Sequence, residues 1–151
     1  MLENLITGHE IDFLIKLVLC IIGGVLIGIE RESRGKSAWI STHAFVIAGA
    51  MAFTVISLFM DPNEPARIAA QIVSGIGFLG AGIILKESTG EVINLTTAAS
   101  IWFSAAIGML IGFGWYIMAI ITIIFAIFVP RIPHIWGRRD YEHRRHGRIV
   151  G

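Results

Sequence analysis

The sequence predicts an all-α integral membrane protein: a five-helix transmembrane bundle, N-terminus outside, C-terminus cytoplasmic. Three observations carry that prediction. Hydrophobic residues make up 55% of the 151, and the mean hydropathy of +0.76 is far from that of an ordinary soluble domain. Uncharged runs of 17 or more residues recur along the chain, close to the length a helix needs to cross a hydrocarbon core roughly 30 Å thick. Finally, five crossings sort the basic residues onto one side. The loop 30–43, the loop 86–94 and the tail beyond Pro130 would share a face holding ten of the twelve lysines and arginines. The positive-inside rule places that face in the cytoplasm, whereas four crossings would scatter the basic loops.

Residues 1–10 are short and acidic and read as an external N-terminus. The first span covers about 11–29. It lacks a basic leader and a small-residue cleavage site, so it reads as a retained helix. At helical spacing Asp12, Lys16, Gly23 and Glu30 share one stripe, which should face protein. Gly24 and Gly28 form a G-x-x-x-G step beside it. Cys20 cannot form an intramolecular disulfide and reads as a packed thiol. A basic loop with Arg31, Arg34 and Lys36 leads to the second span, about 44–60, in which His43, Ala50, Thr54 and Ser57 share a side. Asp61 to Pro65 (DPNEP) is a turn, with Pro65 suited to the first turn of the next helix.

The third span, about 68–85, is expected to be the buried hub of the bundle. Ile72, Ile76, Leu79 and Ile83 form a stripe of lipid-facing type. Ala70, Ser74, Gly77 and Ala81 lie opposite, with Gln71, Gly75 and Gly82 beside them and Gly80 as a fourth glycine. Small residues permit close backbone approach in lipid, so this face should pack against neighbouring helices. A polar loop follows, with Asn94 or Thr96 as N-cap of the fourth span, about 95–111. There Thr97, Ser104, Gly108 and Gly112 share a face, with Ser100 at its margin. A single helix over 95–129 would be about 52 Å long, too long for one crossing. Gly112-Phe113-Gly114 should therefore turn the chain into a fifth span, about 115–129, the most lipid-exposed. The tail 130–151 is rich in arginine and suits anionic headgroups; nucleic acid is not expected.

Lys16 with Asp12 is an i, i+4 pair, either snorkelling together or contributing a charged face that lines a cavity or binds another protein. Glu30, Arg31, Glu32, Arg34, Lys36, Thr42 and His43 form a basic mouth. Glu30 ends an apolar run on the inward stripe, and a buried carboxylate needs a partner from Arg31, Arg34 or His43. Asp61, Glu64 and Arg67 suit a helix-start ion pair better than a hydrated Mg²⁺. Gln71, Ser74, Thr97, Ser100 and Ser104 serve either interhelical packing or a narrow polar path, and the glycines favour packing. No metal-ligand spacing, phosphate loop or nucleophile motif is present, so neither an enzyme nor a cofactor is expected. Two functions fit: a regulator that binds a partner helix or a second copy, or a path for Mg²⁺, K⁺ or protons between the two charged ends.

Four stretches together resemble the MgtC/SapB family of bacterial membrane proteins: GIERE (Gly28 to Glu32), THAFVIAGA (Thr42 to Ala50), PARIAAQIVSGIGFLGAGIIL (Pro65 to Leu85) and NLTTAASIWFSAAIGMLIG (Asn94 to Gly112). The resemblance covers about residues 11–129. Ser41 stands where the family usually has arginine before its Thr-His, and Asn94 where it usually has glycine. Many members carry a soluble C-terminal domain, and any activity residing there is not expected of this chain. The resemblance implies a multi-pass protein of the bacterial cytoplasmic membrane, linked to growth in low magnesium and to survival inside host cells. It also implies a regulator that binds other membrane proteins, among them the F-type ATP synthase and transport ATPases.

Overall fold

A computed structural model describes residues 8–60, 62–64, 66–86 and 92–132. The first seven residues, Asp61 and Pro65 of the expected turn, and the basic tail beyond Ile132 lie outside the described residues. Five α-helices make up almost all of what is described: α1 (Glu10–Ser33), α2 (Ile40–Met60), α3 (Ala66–Ile83), α4 (Leu95–Gly112) and α5 (Tyr116–Phe128). The first four are long and apolar enough to cross a membrane. The chain is an all-α membrane bundle. α5 is shorter and continues into a 3₁₀ turn, Val129–Arg131. It runs antiparallel to α4, the Phe103 and Phe125 rings meeting at 5.4 Å, and returns to the level of α4's start, where Thr96 and Ile132 line one cleft.

Two helix ends are set by glycine. Gly35 has φ +64°, and beside it the amides of Gly35 and Lys36 donate to the carbonyls of Glu32 and Arg31. Gly114, φ +77°, does the same for α4, its own amide donating to Ile111 and that of Trp115 to Leu110. Both are the left-handed stop in which a residue without a Cβ satisfies the last carbonyls. The Gly35 stop comes four residues later than the sequence suggests, so α1 carries Glu30 and Arg31 inside the helix.

The loop expected over 86–94 holds a small antiparallel β-pairing, Leu85 opposite Ile93 and Lys86 opposite Val92. Asn94 follows at φ 65° and is not a side-chain N-cap as expected; Thr96 sits inside the first turn. The Asn94 backbone carbonyl accepts from the Ala98 amide at 2.9 Å. Its side chain instead reaches sideways: Nδ2 donates to the Ile83 carbonyl at 3.5 Å, and Oδ1 accepts from the Ser37 hydroxyl at 3.4 Å. Asn94 thus joins the α1–α2 loop, the end of α3 and the start of α4.

The centre of the bundle is α2 with α4, and α1 packs extensively on α2. Cys20, Ile27, Ile47, Met51, Ile107, Ile111 and Ala119 form the main apolar core. Glycines set the close approaches. A Cβ on Gly24 or Gly28 would collide with the α2 backbone at Ala44 or Ile40, and one on Gly108 would strike the carbonyl of Ile47. On Gly112 it would lie 2.6 Å from the Thr54 Cβ. Without hydrophobic gain between helices in lipid, such backbone proximity is a main source of association.

α3 is not the hub. Its buried residues are Ala69, Ile72 and Gly80, with Ile76 half-buried, so Ile72 and Ile76 of the stripe expected to meet lipid pack on α2 and α4, while Leu79 is exposed as expected. Ala70, Ser74, Gly75, Gly77, Ala81 and Gly82, expected to be packed, are exposed. α5 keeps its expected place at the periphery, with Ala119 its one buried residue.

Candidate functional site

Where α1 stops and α2 and α4 begin, three helices bring buried polar side chains together. Glu30 and Arg31 come from the last turns of α1, His43 from the first turn of α2, and Thr97 and Ser104 from α4. All five are 3% exposed or less. His43 Nδ1 lies 2.8 Å from Ser104 Oγ, and the Ser104 hydroxyl donates its one proton to the Ser100 carbonyl at 2.9 Å. Only lone pairs remain for the histidine, so Nδ1–H donates and Nε2 is an acceptor that no donor among the described residues meets. Arg31 Nη2 donates to Thr97 Oγ1 at 3.5 Å, while its Nε has no acceptor among the described residues. Glu30 Oε1 lies 3.7 Å from Arg34 Nε, an ion pair with no hydrogen bond from a described residue at either carboxylate oxygen. The cluster can attract an anion, and its charges are only partly matched among the described residues.

Of the three partners expected for Glu30, the structure selects Arg34. Arg31 was expected in the basic loop but is 2% exposed on α1's packed face. The spacing that reveals this is Cys20, Gly24, Ile27, Arg31, all buried, and it is visible only if the helix is run on past Glu30. Thr42 is half-buried beside His43, and Thr96 is exposed. Thr54 and Ser57 extend the buried polar residues along α2, Thr54 Oγ1 donating to the Ala50 carbonyl at 2.8 Å. Gln71 and Ser74 lie on the exposed side of α3, so they do not share a path with Thr97, Ser100 and Ser104.

At the opposite end Lys16 Nζ meets Asp12 Oδ2 at 2.8 Å, with the lysine largely buried and the aspartate exposed. The His9 ring stacks at a tilt on Phe59 of α2, 4.8 Å between centroids. Glu64 and Arg67 are both exposed, and the Arg67 amide donates to the Glu64 carbonyl at 3.3 Å. Asp61 lies outside the described residues.

A second feature runs along the flank. Between α2 and α3 lies a cleft of about 490 Å³, walled by Phe45, Gly49, Phe53, Gln71, Gly75 and Leu79. Beside it, a Cβ added to Gly75, Gly77 or Gly82 would meet nothing within 4 Å, and the same holds for Gly49. Gly80 alone of the α3 glycines faces the bundle: a Cβ added there would lie 3.9 Å from Ala98. This cleft is not lined by His43, Glu30 or Ser104.

Comparison with known proteins gives this arrangement a family. The MgtC family model matches residues 17–134, a region that takes in most of α1 and the whole of α2 to α5. The chain belongs to the MgtC family. Among its relatives is YhiD of Escherichia coli, whose name marks it as a candidate magnesium transporter. It is 39% identical over 132 residues, 82% of this chain and 61% of YhiD. MgtC of Salmonella typhimurium is 47% identical over 104 residues, 69% of this chain and 45% of that protein. MgtC of Brucella abortus is 50% identical over 107 residues, 70% of this chain and 44% of that protein. The chain thus spans roughly half the length of the relatives it matches. No solved structure matches it. The backbone angle accounts for Asn94: φ 65° is a left-handed conformation that glycine adopts freely and asparagine tolerates better than most residues.

Proposed function

We propose that this MgtC-family protein is a regulator that holds a transmembrane helix of another membrane protein, or of a second copy, against the outer side of α3. One contrast carries the reading. Glycine in a helix costs about 1 kcal/mol relative to alanine. In α1 and α4 that cost is offset by close approach to α2, but at Gly75, Gly77 and Gly82 no described residue comes close enough to offset it. In lipid, an uncovered small-residue face is where another backbone can come close. The α2–α3 cleft beside it supplies an apolar groove for the same helix. Family resemblance points to transport ATPases or the F-type ATP synthase as partners, in a bacterial cytoplasmic membrane under magnesium limitation or inside a host cell.

The test is a Gly75→Leu/Gly77→Leu variant, which should fold because both positions are open. It should lose complementation of growth at low magnesium and lose crosslinking through α3. Full complementation by a normally folded variant would sink the reading. The name of YhiD and the buried carboxylate of Glu30, which takes no hydrogen bond from the described residues, favour a second reading, transport. Purified protein in liposomes should pass no Mg²⁺, K⁺ or protons down a gradient. A flux that Glu30→Gln abolishes would favour transport instead.

A further inference from the structure

The ends of α1, α4 and α5 enclose a second cleft of about 490 Å³, within the roughly 300–1,000 Å³ range of small-molecule sites. Its lining is divided by chemistry. Arg31, Arg34 and Lys36 stand at one end, and Phe103, Phe125 and Val129 line the rest. Phe103 lies two turns inside α4 from Thr96, about 10 Å deeper along the helix axis. The charged end is thus at the bundle's edge and the apolar part runs towards its middle. α5 leaves the space open because its one buried residue, Ala119, lies near the Gly114 turn.

Among the described residues the charges at the mouth are only partly matched. Glu30 is the one carboxylate among them in ion-pair reach, and it pairs with Arg34 at 3.7 Å. Arg31 is 2% exposed and lines the cleft, yet its Nε has no acceptor among the described residues. A guanidinium is suited to the oxygens of a phosphate, and a buried one with a spare donor leaves that demand open. A free phosphate would use the mouth but gain nothing from the phenylalanines. A molecule with an anionic head and an apolar chain uses both.

We infer that this cleft binds an anionic membrane phospholipid, its phosphate held by Arg31, Arg34 and Lys36 and the start of an acyl chain lying along Phe103 and Phe125. Basic pockets between helices at the cytoplasmic ends of membrane proteins hold anionic headgroups in this way. The inference does not rest on the α3 docking reading, because no α3 residue lines the cleft.

The experiment uses the full chain, purified in detergent and supplied with phosphatidylglycerol, phosphatidylcholine or inorganic phosphate. Retained lipid is counted by native mass spectrometry, and protection is read as a shift in melting temperature. Phosphatidylglycerol should be retained at one molecule per chain and bind about tenfold tighter than phosphatidylcholine. Lys36→Gln should weaken it about fivefold, the effect of one interfacial cation. Ala99→Trp, which narrows the cleft without changing charge, should weaken it about tenfold with helix content unchanged. Equal binding of the two lipids would overturn the proposal. So would unaltered phosphatidylglycerol binding by Ala99→Trp, which would place the lipid elsewhere on the chain. Protection by inorganic phosphate equal to that by phosphatidylglycerol would show that the acyl chain has no role, and would overturn it too.

Discussion

Asn94 ties three segments together through one backbone angle and one amide. The left-handed conformation costs an ordinary residue about 1–2 kcal/mol, a cost glycine escapes and asparagine reduces. Its two side-chain hydrogen bonds, at 3.4 and 3.5 Å, are long and therefore weak. Asn94→Ala should accordingly lower stability by about 1–2 kcal/mol, and Asn94→Gly by less than half of that. Thermal denaturation of the two variants in detergent checks this; equal losses would place the cost in the side-chain bonds instead. Arg31 teaches a related lesson. Its charge suggested a loop, but its position one turn beyond Ile27 on a continuing helix buried it.

At the level of elements, glycine does two different jobs in one chain. A Cβ at Gly108 would strike the Ile47 carbonyl, so Gly108→Ala must push α4 away from α2. Overpacking of this kind costs about 1–3 kcal/mol. Gly77→Ala meets nothing and should be neutral or stabilising by up to about 1 kcal/mol, since alanine is the better helix former. Melting curves of the pair in detergent would separate them; similar losses would mean that α3 is packed after all. The sequence showed both helices to have approachable faces. It placed Thr97, Ser104, Gly108 and Gly112 together, and all four are buried. For α3 the same pattern misled, because the chain approaches that helix through Ile72 and Ile76 instead.

For the molecule as a whole, the crossing of α5 decides where the basic tail lies. α5 and its 3₁₀ turn are short for a span, yet Ile132 returns to the level of Thr96 at α4's start. If α5 makes a fifth crossing, Asn63, between α2 and α3, and Ile132 should lie on opposite sides of the membrane, with Ile132 on the side the positive-inside rule assigns to the cytoplasm. In a Cys20→Ala background, single cysteines at these two positions should be labelled by an impermeant thiol reagent from opposite faces. Labelling of both from one face would mean that α5 turns back within the bilayer.

The sequence by itself determined the membrane class, the helical elements, the turn at Gly114 and the polar faces of α2 and α4. Each depends on composition or on a one-dimensional period, which a linear chain carries in full. Only the tertiary structure decided that α2 and α4 are central, that Arg31 is buried, and that α3 turns its small residues outward. A period marks which residues share a face, but what lies across from that face depends on how all five helices fit together.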